Sequence, residues 1–256
     1  MKLIFKVIIL LVLSISISAR EKGETEITTD DGIEVFQNEK YYLLKKNVKI
    51  ESDNFILTAD DVKINFNKSL YDITILDAKG NVDFVSQEFQ MKGSGEKLNF
   101  EVKFENIKIE GLDSELLTED IEMYSDGYIE VNNQNGKFSL KGSNSKLINE
   151  EIFIEGFSID GIFTKNTNSN KKEITLLNVV DDKISFAKNN DTEMYAKKIN
   201  FDNSTSLIEL IDTVTIIRNG ENITGDYGTL DTKNNSYKIK SNDQKKVKAL
   251  ILNNEQ

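Results

Sequence analysis

The sequence predicts an all-β chain of many antiparallel strands behind a short apolar leader. Two observations carry this. Apolar and charged residues alternate with period two from Glu26 onward, as in Val48-Lys49-Ile50-Glu51, Val62-Lys63-Ile64-Asn65-Phe66, Ile107-Lys108-Ile109-Glu110 and Ile152-Phe153-Ile154-Glu155, the pattern of half-buried antiparallel strands. A unit of several strands also recurs along the chain. Helical spacing has no comparable showing: beyond the leader, only Ser114–Asp120, with Leu116 and Leu117, offers a helical turn, and it is too short to stand alone.

The leader comes first. Lys2 and Lys6 flank the start of an apolar run through Leu13, which thins into Ser14-Ile15-Ser16-Ile17-Ser18-Ala19, the order of a secretory signal. Cleavage is expected after Ala19; if it fails because Ile17 is bulky, residues 1–19 remain as an anchor. Residues 20–26 read as a short linker, and 27–252 as a single β domain.

The repeat follows. Setting Asn47 on Asn81 brings Val48 onto Val82, Ile50 onto Phe84, Phe55 onto Phe89 and Leu57 onto Met91. In the same register Lys63, Ile64, Phe66, Ile73 and Ile75 fall on Lys97, Leu98, Phe100, Ile107 and Ile109. Looser copies begin near Phe138, Met194 and Ile223. Neighbouring units that cover one another's apolar faces form the core of such an array. Ala59, Gly93, Gly142, Ala196 and Gly225 each stand two residues after a large apolar one, where a small residue lets a sheet bend. Gly80-Asn81 is expected to form a tight turn, both residues tolerating positive φ. The polar stretch Thr164–Lys172 reads as an exposed loop.

Composition excludes several functions. The 256 residues include 14 Phe and 8 Tyr but no Trp, Pro, Cys or His. Thiolate, imidazole and disulfide chemistry are therefore absent, and the lack of proline suits long ladders that need every N–H. A formal charge of -11 argues against nucleic acid or an anionic membrane surface as partner. The carboxylate pairs Asp30-Asp31, Asp60-Asp61, Glu150-Glu151 and Asp181-Asp182 cannot converge within strands, because adjacent residues point to opposite faces; turn and surface duty is expected. Gly93-Ser94-Gly95 lacks the rest of a phosphate-binding loop and reads as a bend. No enzyme activity, metal or cofactor is expected.

Several segments together resemble the repeating signature of LptA/OstA-type periplasmic proteins: Asn47-Val48-Lys49-Ile50, Phe55-Ile56-Leu57-Thr58-Ala59-Asp60 with Val62, Ala78-Lys79-Gly80-Asn81-Val82, and Ile223-Thr224-Gly225-Asp226. The likeness covers Ile27–Gly111 and Lys183–Leu252; Leu112–Asp182 matches loosely and is expected to be an enlargement. The resemblance implies a many-stranded β-jellyroll of two curved sheets, open along one side, whose apolar trough shields the acyl chains of lipopolysaccharide in the periplasm. It also implies head-to-tail self-association through edge strands and contact with LptC-like inner-membrane and LptD-like outer-membrane proteins. An uncleaved leader would instead match the membrane-anchored LptC type.

Inward, lipid-facing candidates are Ile50, Phe55, Leu57, Ile64, Phe66, Ile75, Phe84, Met91, Phe100, Ile109, Phe138, Leu140, Ile184, Phe186, Met194, Phe201, Ile216 and Ile223. A net acidic chain repels phosphorylated headgroups, so acyl chains are expected to lead binding, with the head near solvent. Ile27–Phe36 and Val247–Leu252 are the expected edge strands, with Lys245, Lys246 and Lys248 discouraging indiscriminate pairing. Two alternatives differ in class: an exported structural β-repeat protein with a filled interior, and a glycan-acting solenoid enzyme, which would need carboxylates at matching positions of successive repeats.

Overall fold

The computed structural model describes residues 22–68, 72–150, 152–165, 171–242 and 246–251. The leader, the centre of the Thr164–Lys172 stretch, Glu151, Lys245 and the residues from Leu252 onward lie outside them. The described strands are β1 (Glu26–Thr28), β2 (Ile33–Phe36), β3 (Tyr41–Glu51), β4 (Phe55–Phe66), β5 (Ile73–Ser86), β6 (Met91–Glu101), β7 (Asn106–Glu110), β8 (Ser114–Thr118), β9 (Glu122–Ser125), β10 (Tyr128–Asn132), β11 (Lys137–Ile148), β12 (Ile152–Lys165), β13 (Lys172–Asn189), β14 (Thr192–Asp202), β15 (Leu207–Arg218), β16 (Glu221–Asp231), β17 (Ser236–Lys240) and β18 (Lys248–Leu250). The pairings are antiparallel; the long strands pair with their neighbours in an up-and-down meander, and β1–β3, β6–β8, β7–β10, β9–β11 and β16–β18 pair across an intervening strand or strands. Ser114–Thr118 is a strand rather than a helical turn: Ser114 and Leu116 face inward, and Leu116 pairs with Gly93 and Met123.

Most long strands break register near their middle. In β3 against β4, Tyr41–Lys45 pair with Asn65–Asp61 and Val48–Glu51 with Ala59–Ile56, with a shift between Lys45 and Val48. Similar shifts fall at Lys79/Val82, Lys141/Ser145, Val180/Ser185, Tyr195/Lys198 and Ile211/Val214. The shifts line up as a spine along which the sheet folds over, so one half of each strand belongs to a first layer and the other half to a second. β7 and β8, which pair with opposite halves of β6, are two halves of one interrupted strand; β9 and β10 are related in the same way on β11. Bulges bend strands and increase local twist, and here they turn one meander into two facing layers.

The bend uses two local devices. Three strands entering the second layer, β3, β5 and β15, carry consecutive residues with positive φ: Lys46 (61°) and Asn47 (50°), Gly80 (72°) and Asn81 (47°), Asp212 (63°) and Thr213 (58°). Gly80-Asn81 is thus a double bulge inside β5 rather than a hairpin turn. Strands returning to the first layer carry a small residue at the bend: Ala59, Gly93, Gly156, Ala196 or Gly225. At Gly93 a Cβ would lie 2.8 Å from the Glu115 carbonyl oxygen and 2.7 Å from Ile109 Cδ1. Gly142 sits at the bend of β11, which runs the other way; Gly156 is the position that matches the remaining four.

Carboxylates and amides clasp the spine. Asn47 Nδ2 donates to Asp30 Oδ2 at 2.6 Å, Asn81 Nδ2 to Asp60 Oδ2 at 3.0 Å and Asn144 Nδ2 to Asp126 Oδ2 at 2.6 Å. The Asn242 N–H donates to Asp226 Oδ2 at 2.9 Å. The Ala59-Asp60 and Gly225-Asp226 pairs therefore combine the small residue of the bend with the acceptor of the clasp. Asp181 accepts from the Lys183 N–H at 2.7 Å at the bend of β13.

Between the layers lies one continuous apolar cluster that includes Leu44, Leu57, Ile64, Phe84, Ile109, Leu116, Met123, Leu140, Leu147, Ile154, Val179 and Leu210, all nearly solvent-free. On the outer faces charged residues pair across strands, as in Lys45–Glu34 at 2.7 Å and Lys197–Asp212 at 3.0 Å. Such exposed pairs are worth little individually, so burial between the layers dominates the stability.

Candidate functional site

The spine closes one long side of the molecule. Opposite it lie two rows of hairpin loops, which form the free margins of the layers. Near the N-terminal end the layers stand apart around a cavity of about 730 Å³. Ile27, Ile50 and Phe55 line it from the second layer, and Ile64, Ile73, Leu76, Phe100 and Val102 from the first. Gly23–Glu26 and Ser52 stand at its rim. At the other end the layers mesh: Ile154, Leu177, Met194, Ile199, Phe201 and Ile208 surround a void of only about 20 Å³. The interior is thus an open apolar trough at one end and a filled core at the other.

Most of the expected inward residues face inward. Ile50, Leu57, Ile64, Phe66, Phe84, Met91, Ile109, Phe138, Leu140, Met194 and Ile216 are buried in the core. Phe55, Phe100 and Phe201 are partly buried against it, and half-buried Ile223 stands opposite Ile216. Of these, Ile50, Phe55, Ile64 and Phe100 meet at the cavity.

Three residues do not face inward. Ile75 points to the outer face, because Ile73 pairs with Phe66 and Ile75 with Asn65 across a bulge that leaves Thr74 extra; Ile73 and Leu76 take the inner positions. Phe186 is also external, since its neighbours Ser185 and Ala187 are the buried ones. Its ring packs outside with Phe153 at 5.8 Å and Tyr195 at 4.9 Å. Ile184, at the bend of β13, is exposed. A period-two count carried through a bend loses its parity there, and a preference for the larger side chain then selects the wrong face.

Midway along the open side, the margins approach each other around a second pocket of about 310 Å³. The Lys172 N–H donates to Asp120 Oδ2 at 3.0 Å, and Lys171 Nζ pairs with Glu150 Oε1 at 2.8 Å. Both contacts join a first-layer strand start to a second-layer loop. Partial burial holds the Lys172 ammonium below its usual pKa, with Asp120 opposing the shift and Lys165 adding to it. Burial, followed by the hydrogen bond to Glu122, pushes the Tyr124 hydroxyl up to about 12. Lys172 was hidden in a polar stretch; its only signal was the alternation Lys172-Glu173-Ile174. Among the described residues no group of three or more carboxylates could hold a metal ion. The arrangement provides apolar shelter and a charged margin.

Residues 26–137 match the family described as LptA/(LptD N-terminal domain) LPS transport protein. That segment runs from the first residue of β1 to the first residue of β11. No curated protein matches the chain. Among solved structures, the chain is similar to LptH, the LptA homologous periplasmic component of the conserved lipopolysaccharide transport device from Pseudomonas aeruginosa. The identity is 14%, the match covers 52% of this chain and 95% of that one, and the TM-score is 0.42. β11–β18 continue the same bent-strand meander beyond the matched segment.

Proposed function

We propose that this protein is a non-enzymatic periplasmic carrier that shelters lipopolysaccharide acyl chains between its two layers and passes them toward the outer membrane. The observation that carries the reading is the apolar cavity of about 730 Å³ between the layers, in a chain whose first half matches a lipopolysaccharide transport family. Each methylene withdrawn from water into such a gap gains about 0.8 kcal/mol, so a few chain segments suffice for binding. The meshed C-terminal end favours a second reading, a structural β-repeat protein with no ligand, because it offers an acyl chain no room unless side chains move.

The outermost strands support transfer. Among the described residues β1 and β2 pair only with β3, and β17 and β18 only with β16. Exposed Ile33 and Val35 lie on one edge and exposed Val247, Leu250 and Ile251 at the other. Edges with unpaired backbone groups accept a further strand, so a head-to-tail stack of copies, ending on LptC-like and LptD-like partners, extends the trough from one molecule to the next.

Photo-crosslinking tests the lipid site. A photoreactive residue at Phe84 or Phe100 is expected to form adducts with labelled lipopolysaccharide, and one at Ile75 or Phe186 is not. Adducts from none of the inward positions would favour the structural reading.

A further inference from the structure

The outer face of the first layer dips into a hollow of about 930 Å³ over β10–β15. One row of polar side chains crosses it in register, a residue from each strand: Glu130, Ser139, Asp160, Asn178, Asn200 and Glu209. With neighbouring strands about 4.8 Å apart, the row is about 24 Å long. An apolar ledge runs beside it. Ile162 stands opposite Leu176, and Asp202 lies between Leu176 and Leu207; Leu176 is 43% exposed.

The carboxylates of the hollow are already engaged by neutral donors. Glu130 Oε1 accepts from Asn106 Nδ2 at 2.9 Å, and Asp160 from the hydroxyls of Ser139 at 2.7 Å and Ser158 at 3.1 Å. Asp202 Oδ1 accepts from the N–H and hydroxyl of Ser204 at 2.9 and 2.6 Å, and Glu209 Oε1 from the Tyr227 hydroxyl at 3.0 Å. Lys137 is the one cation among the residues that line the hollow, which is therefore net negative and repels anions. At its centre the amides of Asn178 and Asn200 face each other across β13 and β14 and form no side-chain hydrogen bond among the described residues. The unused capacity of the site is thus two amides, each able to donate and to accept, next to apolar side chains.

We propose that this hollow binds an uncharged, extended β-1,4-linked polysaccharide segment laid across the strands, with hydroxyls on Asn178 and Asn200 and the C–H faces of its rings on Ile162, Leu176 and Leu207. A sugar hydroxyl uses both the donor and the acceptor of an amide, and the strand spacing is close to the rise of one residue in an extended glycan. A peptide fits less well, because its backbone pairs at a sheet edge rather than on a face and a basic side chain finds the carboxylates occupied. The site goes beyond the acyl-chain reading. It faces away from the interior, and the apolar cavity lies among β1–β6, so the saccharide is one not attached to a lipid held there.

Calorimetric titration of the full chain with cellohexaose tests the proposal. Saturable binding is expected, and the double variant Asn178→Ala/Asn200→Ala is expected to weaken it about tenfold or more, the scale of lost hydrogen bonds. Leu176→Ser, at an exposed position, is expected to weaken it several-fold by removing part of the ledge, which gives a second readout where the double variant unfolds. Asn99→Ala is the control: it lies on the same outer face beyond the hollow, its amide donates to Asp77 at 2.7 Å, and affinity is expected to stay unchanged. Cellohexaose oxidised to carboxylates at C6 is expected to bind much more weakly. No binding of cellohexaose, equal binding of its oxidised form, or unaltered affinity in the folded Asn178 and Asn200 variants overturns the proposal. Hexalysine binding that the same variants abolish would assign the hollow to a cationic partner instead. Displacement of cellohexaose by lipopolysaccharide would place a lipid-linked saccharide there and overturn the separate site. None of these outcomes bears on the acyl-chain cavity.

Discussion

Asn81 shows how one residue serves both backbone and neighbour: its φ of 47° is left-handed and its amide reaches Asp60. Asn tolerates that region and glycine adopts it freely, whereas a β-branched residue strains there. Asn81→Gly is therefore expected to cost less than about 1 kcal/mol and Asn81→Val about 2 kcal/mol or more, as read by urea denaturation. Gly93→Val drives side-chain atoms toward the Glu115 carbonyl and Ile109; a loss of about 3 kcal/mol is expected, and a neutral result would mean that the layers are looser than described. Lys172 carries a pH dependence. Its pKa in the folded chain is held below 10.5 by burial, with Asp120 opposing and Lys165 reinforcing the shift. The unfolded chain therefore binds more protons between the two values, and this contribution to stability rises as pH climbs toward 10.5. Lys172→Met is expected to flatten that rise and to leave the melting temperature at neutral pH unchanged or higher, measured by thermal melts across the range.

Strands were legible in the sequence where alternation is regular and opaque where the chain bends. The recurrence that sets Asn47 on Asn81 and Ala59 on Gly93 locates the spine, because both alignments mark bends. Within a straight half-strand the inner face follows directly, as for Ile64 and Phe66 or Phe138 and Leu140. Across a bulge it does not: Thr74 and the bend at 181–184 move Ile75 and Phe186 outward, and periodicity cannot anticipate an inserted residue. The cavity was half legible, since Ile50, Phe55, Ile64 and Phe100 were expected inside but nothing local shows that the layers part there and mesh near Met194. The edge strands carry a prediction of their own. Ending the chain before Val247 removes β18 and leaves Asn222–Thr224 of β16 paired on the β15 side alone. If β16–β18 form one contact face of a stack, sedimentation should show concentration-dependent association in the full chain and an altered association constant after truncation. A monomer at every concentration, in both forms, would rule out the stack.

For the molecule as a whole, the fold is one meander creased along a line of bulges, with polar clasps on the crease and apolar side chains within. Closing the spine and leaving the opposite margins as separate rows of loops gives the interior an accessible side, and the parted N-terminal end supplies the room. The absence of tryptophan makes the decisive measurement simple, because a single introduced indole reports on its own surroundings. Phe100→Trp places that reporter in the cavity and Phe186→Trp places it on the outer face. Lipid A with brominated acyl chains should quench the fluorescence of the first and not of the second. Equal quenching at both positions, or none at Phe100→Trp under conditions where the lipid is bound, would contradict the placement of acyl chains between the layers.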